Sequence, residues 1–255
     1  MMRSTILRSW PMVLVAGGVV LLLSRPGVAP QIEGAKYLGS KACKLCHEKT
    51  VQTKVYEPWS KTKHAQVKPA EGAPPEEVYR HVTGYDAATG EYKEEGVACE
   101  ACHGPNSLHI AAATKEDKQT LNPAKMEPAQ AVSICGRCHS QGTTADGDKY
   151  PKGFRQGQDL MKSWTLAAEV TGDTKLRQLN DLQQSKHLEK GVTCITCHTA
   201  HQEVKAAPQL REELNALCLN CHDDQTAKKC TEDFPAEQKC SECHMPDKRH
   251  VFVTK

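Results

Sequence analysis

The chain has 255 residues, with 13 Cys and 12 His against 3 Phe, 6 Tyr and 3 Trp, and a formal charge of +2. At 38% apolar and 5% aromatic residues, side chains alone make a poor core for so long a chain, so an interior filled only by ordinary hydrophobic packing is excluded. The near-neutral charge argues against a nucleic-acid binder.

The N-terminus carries Arg3 and Arg8, then an apolar run from Met12 to Leu23, then Ser24 to Ala29. That run is too short to span a bilayer comfortably and suits the core of a secretory signal, so residues 1–29 read as a signal peptide. Gly27 and Ala29 fit a cleavage site while Pro30 disfavours it, which leaves a retained anchor as the other reading. Both expose the remainder of the chain to the periplasm or the extracellular side. Removing residues 1–29 takes away three Arg and no acid, bringing the charge from +2 to −1.

Twelve of the 13 Cys fall into six C-x-x-C pairs, each followed at once by His. In order they are Cys43, Cys46 and His47; Cys99, Cys102 and His103; Cys135, Cys138 and His139; Cys194, Cys197 and His198; Cys218, Cys221 and His222; Cys240, Cys243 and His244. This composition would supply roughly 0.03 such pentapeptides by chance, so coincidence is excluded. Two thiols three residues apart can each reach one vinyl group of a porphyrin while the adjacent imidazole turns under the ring to bind iron, so the pattern reads as covalent haem c attachment. Zinc ribbons and disulfides also use paired Cys, but neither needs a His after every pair. None of the six motifs ends in Lys, which removes the most direct sequence argument for an enzyme. Six ferric haems, at about −1 each with their propionates, would make the holoprotein acidic.

The elements between motifs follow in order. A helix runs through Trp59 and is closed by His64. Residues 79–92, from Tyr79 to Tyr92, form a short hairpin. Helical spacing recurs from Asp173 to Lys190 (Leu176, Leu179, Leu182) and from Pro208 to Leu219 (Leu210, Leu214, Leu217), with the leucines covering haem faces. Residues 30–36, 68–76 and 141–158 read as loops. Cys230, the thirteenth thiol, reads as a small half-buried residue, with an intermolecular disulfide or a metal contact as the rivals. By motif content the chain divides into residues 30–160 and 161–255, with three motifs each.

Six His remain beyond the six proximal ones: His64, His81, His109, His187, His201 and His250. One per haem would make every iron bis-His and leave no open site, which favours electron transfer over catalysis. His201 lies three residues beyond His198 and cannot cross to the opposite face of the same porphyrin, so it is expected to serve a neighbouring haem. His81 is the least secure of the six.

The stretches GSKACKLCHEKT, PWSKTKHA, HVTGYD, GVACEACHGPNSLH and SICGRCHS resemble the cytochrome c-554 family of multihaem cytochromes over about residues 36–140. The later SKHLEKGVTCITCHTAH, LCLNCH and KCSECHMP are similar to C-terminal parts of larger multihaem relatives. The resemblance implies a mainly α fold with extensive loops and one short β-hairpin, organised around six closely packed haems. Its role would be electron transport in the periplasm or outside the cell, between donor and acceptor cytochromes or a membrane quinol-linked complex. In that family the register of Glu77 to His81 usually holds a further C-x-x-C-H, and here both cysteines are replaced. His81 is then either a relic or a recruited distal ligand, and if it is a relic one haem is five-coordinate or takes Met126 or Met161. The alternatives to a non-enzymatic conduit are a small nitrogen-oxide or hydroxylamine redox enzyme with one open haem, and a subunit of a haem-wire filament or membrane respiratory complex.

Overall fold

The computed structural model describes residues 33–48, 54–112, 118–202, 209–223, 230 and 237–253. The expected signal segment, residues 1–29, lies outside them, as does the start of the helix expected from Pro208. The helices in chain order are α1 (Ser40–His47), α2 (Tyr56–Ser60), α3 (Lys63–Gln66), α4 (Pro75–His81), α5 (Cys99–His103), α6 (Ser107–Ala111), α7 (Pro128–Gly136), α8 (Gln178–Leu182), α9 (Lys186–Glu189), α10 (Cys194–Cys197), α11 (Leu214–Leu219) and α12 (Cys240–His244). Strand β1 (Val82–Thr83) pairs antiparallel with β2 (Glu94–Glu95), and β3 (Gly142–Thr143) with β4 (Thr165–Leu166). The first thiol of every motif lies on a short helix, and in the first, second, fourth and sixth motifs the second thiol follows on the same helical face. Among the described residues no helix is long and apolar enough to cross a membrane.

Several expected elements are shorter than the leucine spacing suggests, and in each case a polar side chain competes for the backbone. The helix through Trp59 to His64 is split because Thr62 accepts from the Ala65 amide and starts α3 afresh. The span 173–190 breaks into a 3-10 turn capped by Asp173, then α8, then α9 capped by the Ser185 hydroxyl. In the third span Glu213 accepts from the Asn215 and Ala216 amides, so α11 begins only at Leu214. The hairpin expected at 79–92 is displaced: Pro75 at the first helical position, with Glu76 and Glu77 behind it, draws Tyr79 into α4, and the pairing strands are 82–83 and 94–95.

The main apolar cluster joins Val132, Leu160, Trp164, Leu179 and Leu182. It draws on both sides of residue 160, so the two three-motif parts share it. Gly136, inside the third motif, lets the Leu179 side chain approach; a Cβ there would lie 2.2 Å from Leu179 Cδ2. Trp164 Nε1 donates to the Ser140 hydroxyl at 3.0 Å, and that hydroxyl donates to the Gly136 carbonyl at 2.7 Å. Gly96, with φ +85, approaches the Ala65 carbonyl so closely that a Cβ would lie 2.6 Å from its oxygen. The next amide, of Val97, donates to the His64 carbonyl at 2.7 Å, which holds the His64 turn against the entrance to the second motif.

Candidate haem sites

The buried Glu100, inside the second motif, anchors the start of the site region. Its carboxylate accepts from the amides of Leu38 (2.9 Å), Gly39 (2.7 Å) and Asn106 (2.8 Å), tying the segment before α1 to the turn after α5. Glu94 adds bonds from the Ser40 amide and hydroxyl, each 2.7 Å. The first and second motifs are thereby held side by side. Thiols of different motifs meet: Cys43 touches Cys99, Cys135 touches Cys194, and Cys218 touches Cys240. Cys102 lies within electrostatic reach of Cys135 and Cys138, and its thiol is pushed up to about 12 by burial. Cys197 stands in the same relation to Cys221. Each motif therefore neighbours the next in sequence order.

The imidazoles are arranged in facing pairs. His47 faces His109 with ring centres 6.3 Å apart, His103 faces His201 at 6.0 Å, and His139 faces His64 at 6.0 Å. His198 faces His250 at 6.1 Å and His222 faces His187 at 5.9 Å. Two imidazoles bound to one iron, each about 2 Å from the metal with roughly 1 Å more to the ring centre, lie about 6 Å apart. The residues therefore fit axial ligation of haem iron.

A second observation agrees with that fit. Nδ1 of His103 lies 2.7 Å from the Leu121 carbonyl, that of His109 2.5 Å from Lys118, that of His139 3.1 Å from Lys175 and that of His244 2.9 Å from Val253. A carbonyl only accepts, so in each case Nδ1 carries the proton and Nε2 is left with its lone pair, as metal-ligating His requires. Burial also lowers the pKa of His47, His64, His103, His139, His187 and His201, and takes His250 to about 4. These rings are held neutral, which is their ligating form.

All five pairings are long-range, and proximity in the chain misleads at each. His109 follows the second motif but faces the first; His250 follows the sixth but faces the fourth; His201, three residues after His198, faces His103 instead. His81 and His244 face no other imidazole among the described residues, where all twelve His lie. His81 ends α4, and its Nδ1 lies 4.0 Å from Glu77 without a hydrogen bond. Cys230, expected half-buried, is exposed.

Three supports carried no signal in the spacing. Arg137, in the third motif, is buried with its guanidinium 5.1 Å from the centre of the Tyr79 ring, and burial pushes the Tyr79 hydroxyl up to about 12. The Phe252 ring lies 4.2 Å from His187 and 5.9 Å from His250, bridging the pairs of the fifth and fourth motifs. The buried Asp181 accepts from Arg249 Nη2 at 2.7 Å and Nε at 3.1 Å, and from the His250 amide at 3.1 Å. Asp181→Ala is expected to cost about 2–3 kcal/mol, discounted because Arg249 is partly exposed. It should also loosen His250 and lower the low-spin fraction of the ferric spectrum. Unchanged denaturation and spin state together would refute this role.

Comparisons with known proteins place these sites in context. Residues 186–227, which hold the fourth and fifth motifs, match the family described as Doubled CXXCH motif. The chain is 22% identical over 210 residues to the dissimilatory sulfite reductase MccA of Wolinella succinogenes, covering 66% of this chain and 26% of that protein. It is also 22% identical over 189 residues to the multihaem cytochrome MtrA of Shewanella baltica, covering 60% of this chain and 57% of MtrA. The chain thus spans between a quarter and just over half of these relatives. Among solved structures, the outer cell wall cytochrome OcwA superposes with a TM-score of 0.63 at 18% identity, covering 85% of this chain and 79% of that one.

Proposed function

We propose that this multihaem c-type cytochrome is an extracytoplasmic electron conduit carrying six covalent haems, most of them bis-His. Each haem would be held by one C-x-x-C-H motif, and the haems supply reversible one-electron exchange. The chain's own residues fix their spacing, orient their ligands and exclude water. The five imidazole pairs, at 5.9 to 6.3 Å, carry this reading. The ligand sets are His47 with His109, His103 with His201, His139 with His64, His198 with His250 and His222 with His187.

Such ligation favours transfer over chemistry, because both axial positions are filled and the coordination shell changes little between redox states. The contacts between successive motifs support a path in sequence order, from the segment of Cys43 to that of Cys240. The path is open at its first motif, where Leu45, between the thiols, is 71% exposed and Cys46 is exposed, and again at Cys221 of the fifth motif. A donor and an acceptor protein would meet the chain at such edges. The likeness to MtrA and OcwA supports a place in the periplasm or outside the cell, reached by a signal in residues 1–29 or with that segment retained as an anchor. The resemblance of residues 36–140 to the cytochrome c-554 family supports the same role.

His201→Ala tests the reading directly. Removing the imidazole that faces His103 is expected to convert one further haem from low-spin to high-spin and to add one cyanide-binding site per chain. An unaltered spectrum would show that His201 is not a ligand.

A further inference from the structure

We infer that the haem of the sixth motif, attached through Cys240 and Cys243 and ligated by His244, keeps one axial position open to a small external ligand, a diatomic molecule or simple anion. The inference rests on the six-haem reading above and concerns one site within it.

Ten of the twelve His are engaged in five pairs, which leaves His81 and His244. His244 has the features of a proximal ligand. It follows its two thiols on α12, and its Nδ1 is committed to the Val253 carbonyl at 2.9 Å, as Nδ1 of His103 is to Leu121 and that of His139 to Lys175. What it lacks, among the described residues, is an opposing imidazole.

His81 is not placed to supply one. Its helix α4 is bound into the N-terminal half: Tyr79 lies over Arg137 of the third motif and against Tyr85 and Tyr150, and the His81 carbonyl accepts from the Gly96 amide at 2.9 Å. The sixth motif is anchored elsewhere. Asn215 of α11 accepts from the Cys240 amide at 2.9 Å and donates to the Gln238 carbonyl at 2.9 Å, so α12 is fixed to α11. Of the sulfur donors expected from the sequence, Met161 packs on the cluster around Leu160 and Trp164, and Met126 ends the 3-10 turn Pro123–Lys125 ahead of α7 in the N-terminal half. Met245 directly follows His244 and cannot reach the far face of the same porphyrin.

A ferric iron with one protein ligand is a Lewis acid whose sixth position takes a small donor from solvent. The contact of Cys240 with Cys218 places this site next to the fifth motif, at the end of the sequence-ordered path, where a bound ligand would be in reach of electrons.

The holoprotein purified with its haems tests both levels. The count of haems per chain tests the six-haem reading on its own. Electron paramagnetic resonance of the ferric protein tests the inference: the expected result is one high-spin haem beside five low-spin ones. Cyanide or nitric oxide should then bind with a stoichiometry of one and abolish the high-spin signal. His81→Ala should leave both signals unchanged. The double variant Cys240→Ser, Cys243→Ser should lose the high-spin signal and the cyanide site while five low-spin haems remain. Six low-spin haems in the unmodified protein would overturn the inference, whichever residue closes the site. A new high-spin haem in His81→Ala, or a high-spin signal that survives the double variant, would overturn it equally. Should the double variant fail to fold, the unmodified protein and His81→Ala still decide.

Discussion

Produced without haem, the chain is expected to remain unfolded, with no cooperative thermal transition and rapid digestion by a nonspecific protease. The longest helix among the described residues is α7, with nine residues, and most others have four to eight, well short of the length at which a helix is stable alone in water. The two sheets among the described residues have two strands each, below what stands independently. Tertiary packing must hold these elements, yet the fully buried apolar set is small and includes Ala98, Ala101 and Ala131, which contribute little area. Porphyrin faces would supply the apolar surface that the described side chains do not. The difference from the holoprotein should be nearly complete in far-ultraviolet circular dichroism. A haem-free chain with native helical content and a sharp melting transition would contradict the argument.

Glu100→Ala should be the most damaging single substitution away from the thiols and imidazoles, costing about 3–5 kcal/mol. The side chain has no exposed surface and receives the amides of Leu38, Gly39 and Asn106. Alanine leaves those donors facing a cavity, and each buried unpaired amide costs about 1–3 kcal/mol. Glu100→Gln keeps the shape and one acceptor oxygen, so it should fall between the parent and the alanine variant. Because the lost bonds tie the approach to α1 to the turn after α5, the effect should be concentrated at the first two motifs. Denaturant unfolding gives the magnitude, and haem content per chain gives the location. A loss below about 1 kcal/mol would mean that solvent satisfies these amides and that Glu100 is not the clamp its bonds suggest.

How far the sequence could be read differs sharply between parts of the chain. Attachment chemistry is local: two thiols and an imidazole within five residues either fit a porphyrin or do not, so the motifs stand out without any knowledge of the fold. The short helices were harder to read. The spacing of Leu176, Leu179 and Leu182 suggests one helix through Lys190, but Asp173 and Ser185 offer the backbone competing bonds that a period count does not weigh. Glu100 was invisible for another reason. An acidic residue between two motif cysteines ordinarily reads as solvent-facing, and only the three amides brought to it by the fold make its burial stable.

The ligand count shows the boundary most clearly. Six proximal and six spare His suggest that every iron is closed, yet the fold uses ten of them in five pairs and leaves His81 and His244 apart. The sequence by itself determined which residues can bond to a porphyrin, how many motifs there are and that the interior must be filled by something other than side chains. Those facts follow from covalent geometry over a few residues and from composition. The tertiary structure alone decided which imidazole faces which, because partners such as His103 and His201 are set by how distant turns pack, and a residue's neighbours in sequence say nothing about the far side of a ring several ångströms across.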